Sequence, residues 1–305
     1  MVDVVALISD AEAARNARSP FNADYDDIAM RMWPRQQGFA TGQRPSTFKK
    51  LMRDSTAWQA LDRAVAIMYV GITPRNSIWH TIGFQDDPEL ADWQPVKEYL
   101  EKILTTVIFN GRYAAGSGYD TAIVNMFKSE QAFGTGIFKL ETEPGGLLYR
   151  YEFLPFRECY LTTDHIGRHN GIYRFYDMTP HQILSDFGHM PKSVKQAASS
   201  SPDQKFRVIE ICRERKIFNP RHMGAKNMRF MSAWILEEDQ ALLRESGYHE
   251  FPYIVGRLMP DGTDPYGIGT GEMVQADVRE LHQLVTTNTR GAMKQVDPVT
   301  FWQPD

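Results

Sequence analysis

Three side chains with metal-binding chemistry lie close together in the middle of the sequence. They are Cys159, His165 and His169, and thiolate and imidazole groups are good zinc ligands. In a zinc protease a helical His pair carries a Glu directly after the first His, whereas Ile166 follows here and Gly167 interrupts the segment. We therefore favour a turn between two strands, with solvated histidines, over a metal site. A zinc-dependent hydrolase built on these three residues stays open as an alternative function.

Three further segments could carry other chemistry. Gly267-Ile-Gly-Thr-Gly271 precedes a predicted helix and could cradle a phosphate, but its alternate glycines match neither nucleotide-binding fingerprint, and we interpret it as a flexible turn. Ser117 stands between two glycines without the Gly-x-Ser-x-Gly pattern of a hydrolase nucleophile. A basic cluster could bind an anion, although we favour charges that alternate outward along a strand. Its members are Arg213, Arg215, Lys216, Arg221 and Lys226.

The composition indicates a folded protein without a strong net charge. The chain has 305 residues, of which 42% are hydrophobic, and a formal net charge of -4. It can therefore bury a sizeable core, and it lacks a global basic field for nucleic acid. Two cysteines are too few for a disulfide framework and favour a reducing compartment. The apolar run from Val4 to Ile8 lacks the flanks of a signal peptide, and no stretch is apolar for long enough to predict a membrane span.

Hydrophobic periodicity predicts mainly helices in the first part of the chain and mainly strands in the second. The predicted helices cover residues 22–33, 55–70, 96–109, 119–132 and 179–188, the last with a capping box at Thr179 and Gln182. The predicted strands cover residues 77–84, 136–141, 147–154, 159–163, 172–176, 205–218, 227–237, 241–245 and 253–258. The four strands from 136 to 176 are expected to form one antiparallel meander. The stretch 191–204 is expected to be the least structured, with an exposed loop at Ser199-Ser-Ser-Pro202. This segregation is typical of an α+β fold.

The longest predicted helix runs from Thr270 to Gln295 and would reach roughly 39 Å at the rise of an α-helix. It carries an apolar stripe made of Val274, Val278, Leu281 and Val285. Asn288 and Gly291 interrupt the pattern, and a glycine inside a helix costs about 1 kcal/mol relative to alanine. We therefore expect neighbouring elements to stabilise this helix, as a ring of identical helices would.

Several motifs before and within this helix carry a family resemblance. They are Phe251-Pro-Tyr-Ile-Val-Gly-Arg257, Pro265-Tyr-Gly-Ile-Gly269, Val278-Arg-Glu-Leu281 and Lys294-Gln-Val-Asp-Pro298. In order and spacing they resemble the portal proteins of T7-like short-tailed bacteriophages (podoviruses). Asp54-Ser-Thr-Ala-Trp58, Gly71-Ile-Thr-Pro74, Trp79, Gly134-Thr-Gly136 and Glu152-Phe-Leu-Pro155 resemble the same family. The resemblance covers roughly residues 25 to 300; one departure is Pro298-Val299, where the family often has two prolines.

The resemblance implies a portal fold with three parts. Residues 1–262 would form a wing domain of helices and antiparallel sheet, 263–296 a turn and a descending stem helix, and 297–305 the start of the clip. The family's returning stem helix, channel loop and crown are not in this sequence, and we expect the chain to be truncated.

The resemblance also implies a function without catalysis or cofactor. A portal is a twelve-subunit ring, the head-to-tail connector at the unique capsid vertex, through which double-stranded DNA is packaged and ejected. Its partners would be the terminase motor, tail adaptor proteins, and the major capsid and scaffold proteins, in a virion assembled in the host cytoplasm. A different phage structural component, such as an adaptor or scaffold protein without a channel, is the second alternative.

The stem helix supplies the candidate site residues. We hypothesise that its apolar stripe, Val274, Val278, Leu281 and Val285, packs between subunits. The acids Glu272, Asp277 and Glu280 would face the DNA channel or its rim. Each phosphate neutralised by a basic side chain adds salt-dependent affinity, so a ring through which DNA slides is better lined by acids.

Overall fold

A computed structural model describes residues 3–42, 44–45, 54–83, 87–142, 149–219 and 224–296. The helices are α1 (Val4–Arg18), α2 (Asn22–Met32), α3 (Thr56–Ile72), α4 (Pro88–Asp92), α5 (Gln94–Lys102), a π-helix (Ile103–Phe109), α6 (Asn110–Arg112), α7 (Tyr119–Phe133), α8 (Pro180–Phe187), α9 (Lys192–Ser200), α10 (Thr270–Met273) and α11 (Gln275–Val296). The strands are β1 (Thr135–Thr142), β2 (Tyr149–Phe153), β3 (Cys159–Thr163), β4 (His169–Met178), β5 (Phe206–Glu214), β6 (Phe230–Leu236), β7 (Ala241–Tyr248), β8 (Tyr253–Arg257), β9 (Met259–Pro260) and β10 (Gly267–Ile268). The predicted α+β class is confirmed.

The strands form antiparallel sheets that divide the predicted meander. A five-stranded sheet has the order β3-β4-β5-β6-β7, and a three-stranded sheet has the order β2-β1-β8. The prediction of one meander from 136 to 176 is therefore wrong. β1 takes β8 as its second neighbour, with Ile137 opposite Val255, and a short 3-10 turn at Phe156–Glu158 leads the chain into the other sheet.

A buried ion pair joins the two larger sheets. Nζ of Lys139 on β1 lies 2.7 Å from Oε1 of Glu210 on β5, and the Tyr253 hydroxyl donates to the same carboxylate at 2.8 Å. Burial alone would raise the pKa of the Glu210 carboxyl, but the charges of Lys139 and Arg174 bring it below its usual range. Each charge is therefore matched inside the chain, as a buried charge requires.

The N-terminal helix α1, which the sequence pattern did not predict, is fixed by one fully buried arginine. Nη1 of Arg18 donates to the carbonyl oxygens of Phe156 at 2.7 Å and Cys159 at 2.6 Å, and Nη2 donates to that of Arg157 at 3.0 Å. The guanidinium also lies 4.0 Å from the ring centroid of Tyr160. A buried cation that satisfies three carbonyls holds α1 against the start of β3.

Three other predictions are corrected within the described residues. Residues 77–83 of the expected strand 77–84 belong to no strand, and Phe84 lies outside the described part. The stretch 191–204, expected to be the least structured, contains α9. Val194 and Ala197 of α9 are buried in a hydrophobic cluster that includes Phe206, Val208 and Trp234 of the five-stranded sheet. The helix expected at 96–109 begins as α5 and continues as the π-helix Ile103–Phe109. The capping box of Thr179 and Gln182 is confirmed at α8.

Candidate functional site

The C-terminal helix begins at a junction of close backbone contacts. Gly134 ends α7 with a φ of 79°, and a Cβ on it would overlap the carbonyl of Gly267. The amide of Gly267 donates to Oγ1 of Thr135 at 3.0 Å, and Oγ1 of Thr270 donates to the carbonyl of Gln131 at 2.8 Å. Only glycine combines a left-handed backbone with so close an approach. The Gly134-Thr-Gly136 motif therefore fixes the point from which the helix departs.

This junction divides the long helix that the sequence predicts. Instead of one helix from Thr270 to Gln295, α10 ends at Met273 and α11 begins at Gln275. Val274 leaves the helical region with φ -99° and ψ 7°, although the amide of Val278 still donates to its carbonyl at 3.0 Å. A Cβ on Gly271 would overlap the carbonyl of Ala132. α10 is therefore held tightly against the end of α7, and the helix is interrupted at Val274.

The first turns of α11 dock on α2 through a shared aspartate. Asp27 accepts from Nε of Arg31 at 3.0 Å and from Nε of Arg279 at 2.7 Å, and Nε2 of Gln275 lies 3.2 Å from its Oδ2. Burial alone would raise the pKa of the Asp27 carboxyl, but the hydrogen bonds and charges of the two arginines bring it below its usual range. Asp27 thus stays ionised and orients the helix.

A buried histidine continues this contact one turn further along α11. His282 is 3% exposed. Its Nδ1 lies 3.4 Å from Nη1 of Arg31, and its Nε2 lies 3.2 Å from the carbonyl oxygen of Asp54. Both ring nitrogens therefore meet polar atoms of the same chain, and α11 is attached to the body from Gln275 to His282.

Of the four residues of the predicted subunit interface, Val274 precedes α11 and the other three lie on it. Val278 is 8% exposed and belongs to the main hydrophobic cluster. Leu281 and Val285 are half-buried, and Val274 is exposed. Little of Val278 is left for a neighbouring subunit, so its predicted contact across an interface remains a prediction. More apolar surface is exposed at Leu284, Met293 and Val296, and Val296 is 88% exposed.

The three predicted channel acids separate into two groups. Asp277 and Glu280 are exposed, and with Leu284 they follow the spacing that places residues on one side of a helix. Glu272 lies instead at the foot of the helix, half-buried, where burial and the charges of Asp24 and Asp264 raise its pKa to about 7. The geometry therefore offers a pair of exposed acids on one side of α11 and a third acid set apart from them.

The candidate zinc ligands do not converge. Cys159 begins β3, whereas His169 pairs with Thr163 at the other end of that strand, roughly 13 Å away at the rise of a strand. Cys159 is fully buried, which raises the pKa of its thiol, and Nε2 of His169 lies 2.9 Å from the carbonyl oxygen of Pro265. His165 is exposed. Across the described ranges, no three His, Cys, Asp or Glu side chains are close enough to share a metal ion.

The other candidate segments have structural roles in the chain. Ser117 is buried, and its hydroxyl donates to the carbonyl of Arg112 just before α7. Gly269 is packed against Gly134, so the segment 267–271 is a tight junction and not the flexible turn that we predicted. In the basic cluster, Arg213 pairs with Asp10, and Arg215 lies 3.1 Å from Glu245. Arg221 lies outside the described residues.

Sequence patterns missed the residues that attach α11. Asp27, Arg31, Arg279 and His282 are polar, and they come from two elements about 250 residues apart. Hydrophobic periodicity carries no signal for such pairs. The one available cue was a histidine on the apolar side of a predicted helix, adjacent to Leu281.

The fold and the site together define an α+β body from which a C-terminal helix extends. A helix leaves a closed body with its polar base satisfied and its far half uncovered, and no helix among the described residues is long and apolar enough to cross a membrane. The chain belongs to the bacteriophage head to tail connecting protein family, whose model matches residues 5–305.

Curated relatives from two phages match most of this chain. It is 24% identical over 302 residues to a protein named portal protein of Salmonella phage epsilon15, which covers 94% of this chain and 53% of the relative. It is 26% identical over 284 residues to a probable portal protein of Bordetella phage BPP-1, which covers 90% of this chain and 50% of that relative. The chain thus spans about half the length of these relatives.

Proposed function

We propose that this chain forms the wing and the descending stem helix of a bacteriophage portal. Residues 1–262 would be the wing, 263–296 the turn and stem helix, and 297–305, which lie outside the described residues, the start of the clip. Copies of the chain would close into a twelve-subunit ring at the unique capsid vertex. Double-stranded DNA would pass through that ring during packaging and ejection.

The observation that carries this proposal is the uncovered far half of α11. From Gln283 to Val296 all but two residues are exposed, including Leu284, Met293 and Val296. A helix is marginal in water without packing, and exposed apolar side chains along it gain from a neighbour. A ring of identical helices would supply that neighbour. The family membership and the names of the curated relatives support the same function.

The exposed acids on α11 suit a channel through which DNA must slide without being bound. Asp277 and Glu280 would line the channel or its rim and repel phosphates, so that the duplex slides without salt-dependent attachment. Glu272, half-buried at the foot of the helix, would contribute at the rim only. The exposed parts of Val274, Leu281 and Val285 would form the apolar contacts between subunits, and Val278 would add little. Leu284, Met293 and Val296 would extend the same contact along α11.

The proposed partners follow from the place of a portal in the virion. They are the terminase motor, the tail adaptor proteins, the major capsid and scaffold proteins, and DNA without sequence specificity. The ring would be assembled in the host cytoplasm and would remain at the portal vertex of the virion. It would make or break no bond and need no cofactor or membrane.

Electron microscopy of the full-length protein tests the ring. We expect closed rings, and an adaptor or scaffold protein without a channel would instead give monomers or open assemblies. Leu281→Asp should reduce ring formation, and rings that survive this change unaltered would contradict the stem interface.

The channel is tested by reversing its charge. Asp277→Lys combined with Glu280→Lys should impair DNA packaging and retention in particles whose rings are intact. The matched control reverses two exposed acids away from α11, Asp203→Lys with Glu238→Lys. Equal DNA handling by both double variants would rule out the channel assignment.

A further inference from the structure

One helical segment of the chain only partly buries the face that its sequence pattern predicts to be inward. We call residues 87–112, which contain α4, α5, the π-helix and α6, the arm. Its apolar positions were expected inward, yet within one chain only Leu104 of the six is buried. Tyr99 is 65% exposed, and Trp93 just before α5 is 60% exposed. The six are Val96, Tyr99, Leu100, Ile103, Leu104 and Val107. An amphipathic helix needs a surface to cover such a face.

A cationic and aromatic site lies where the arm rejoins the body. We call Arg75, Trp79, His80 and Arg112 the arm base. The Arg112 guanidinium lies 5.0 Å from the Trp79 ring centroid and 5.5 Å from that of Tyr119. Trp79 and His80 stand in ring contact at 4.5 Å. Tryptophan and arginine together are the residue types that contribute most to protein interfaces.

The arm base contains buried polar atoms that lack partners within the described part of the chain. Nη1 of Arg112 and both ring nitrogens of His80 are shielded from solvent and make no hydrogen bond. No described carboxylate forms an ion pair with Arg112. The nearby Asp120 is already taken, because it lies 3.3 Å from Nη1 of Arg75 and accepts from the Tyr69 hydroxyl at 2.7 Å. An unmet buried donor costs about 1 to 3 kcal/mol, more when it is charged, so an acceptor from outside is favoured.

The arm itself carries the complementary charge. Residues 87–102 include five acids, Asp87, Glu89, Asp92, Glu98 and Glu101, and only two bases, Lys97 and Lys102. The net charge of this stretch is therefore -3. No hydrogen bond or ion pair is described for Glu89 or Glu101.

An arm cannot deliver these acids to its own base. α5, the π-helix and α6 follow one another without a break from Gln94 to Arg112. Arg112 lies eleven residues after Glu101, which amounts to roughly 16 Å along a helix. A carboxylate that reaches Arg112 must therefore come from another element or another molecule.

We propose that the arm of one copy of this chain docks on the arm base of a second copy, where Arg112 and His80 bind a carboxylate of its α5. The apolar face of the docked arm would cover Trp79 and the neighbouring Ile78, which is 49% exposed. Two different surfaces meet in this contact, so it is heterologous and can repeat around a closed ring. The inference rests on the proposed ring and assigns a contact within it that is separate from the stem helix.

Charge exchange on the full-length protein tests the contact. Arg112→Glu, and separately Glu98→Lys with Glu101→Lys, should each raise the protein concentration needed for half-assembly by at least about tenfold, measured by mass photometry. Combining the three substitutions should restore assembly toward the wild-type value. Arg168→Glu changes an exposed arginine remote from the arm and should leave assembly unchanged. Melting curves identify any variant that does not fold.

A cross-linking measurement keeps the proposal testable if a charge variant fails to fold. Tyr99→Cys with Ile78→Cys places thiols at two exposed positions, while the natural Cys159 and Cys212 are buried. Oxidation of assembled protein should give covalent dimers and higher ladders. Wild-type rings that neither respond to the charge variants nor cross-link would overturn the arm contact alone. A wild-type chain that stays monomeric would refute the proposed ring as well.

Discussion

The body of the chain and its two helical extensions differ in which of their side chains have partners within the chain. In the body, buried charges such as Arg18, Lys139 and Glu210 each have partners within the chain. In the extensions, the arm and the part of α11 beyond His282, apolar side chains such as Tyr99 and Val296 are exposed. These buried charges of the body are thus satisfied within the chain, whereas the extensions leave apolar surface that the proposed association would cover.

This difference separates folding from assembly within one chain. Residues of the body should control the free energy of unfolding, and residues of the extensions should control association with little effect on folding. Each prediction below tests one side of that division, with all unfolding measured at one fixed protein concentration because association would shift the apparent stability.

Arg18→Ala should have the largest effect on the body. It removes a buried cation together with its hydrogen bonds to the carbonyls of Phe156, Arg157 and Cys159. Because each hydrogen bond to a charged group contributes about 1.5 to 3 kcal/mol, we expect a loss of about 4 kcal/mol. Chemical denaturation measures the loss. Arg15→Ala is the control on the same helix, because its guanidinium makes only weak contacts, one of 3.4 Å with the Thr41 carbonyl and one of 5.6 Å with the centroid of the Phe175 ring. Similar losses for both variants would contradict a special role for Arg18.

Gly134→Ala should destabilise the junction that launches the C-terminal helix by about 3 kcal/mol. Roughly 1 to 2 kcal/mol comes from the left-handed backbone and the remainder from the overlap with Gly267. Gly188→Ala separates the two effects, because Gly188 has a φ of 74° with open space around its Cβ position. It should show the backbone cost alone. Thermal or chemical denaturation measures both losses. Equal losses for the two variants would show that the close approach of Gly134 to Gly267 adds nothing to stability.

These two positions illustrate what could be predicted from the sequence. Periodicity predicts the α7 pattern and the strands that follow it, because each signal is local. The division of the strands between two sheets depends on the pairing of β1 with β8, more than 100 residues away, which no local pattern encodes. Arg18 was missed for the same reason, since its partners lie about 140 residues away.

The candidate site was predictable only in part. The apolar stripe, the acids and the position of the C-terminal helix follow from the local sequence, whereas its role as a stem helix follows from the family resemblance. The sequence could not show which residues of the stripe pack against the chain's own body and which stay exposed, because this depends on where α2 lies. The ion pairs of Asp27 with Arg31 and Arg279, which set the direction of α11, become visible only once α2 and α11 meet.

Glu130→Gln should change how stability depends on pH by roughly 2 to 3 kcal/mol. Burial raises the pKa of Glu130 from 4.5 to about 7. Its carboxyl lies against the backbone of Gly256, with no hydrogen bond or ion pair to its side chain among the described residues. Between pH 4.5 and 7 the unfolded chain loses this proton while the folded chain keeps it, so wild-type stability should fall as pH rises through that window.

The variant should show a smaller fall over the same window, measured by denaturation at pH 4.5, 6 and 7.5. Glu272→Gln is the comparison at the foot of α11, where the raised pKa belongs to a half-exposed group. Solvent screening should make its effect smaller than that of Glu130→Gln. A pH profile that Glu130→Gln leaves unchanged would show that Glu130 is ionised in the folded chain.

The smallest expected change in unfolding free energy concerns valine-to-alanine substitutions at two positions, Val278 near the start of α11 and Val296 at its end. Val278→Ala removes methyl groups that are buried in the body and should cost about 1 to 2 kcal/mol of unfolding free energy, whereas Val296→Ala acts on a side chain that is 88% exposed and should stay within about 0.5 kcal/mol. Both changes have nearly the same helix propensity effect, so the difference reports packing within the chain. In the assembly measurement the order should reverse, because Val296 has surface to offer a neighbour and Val278 has little. Equal losses of stability at the two positions would mean that the far half of α11 also packs against the body. The far half of α11 would then belong to the body and not to the extensions.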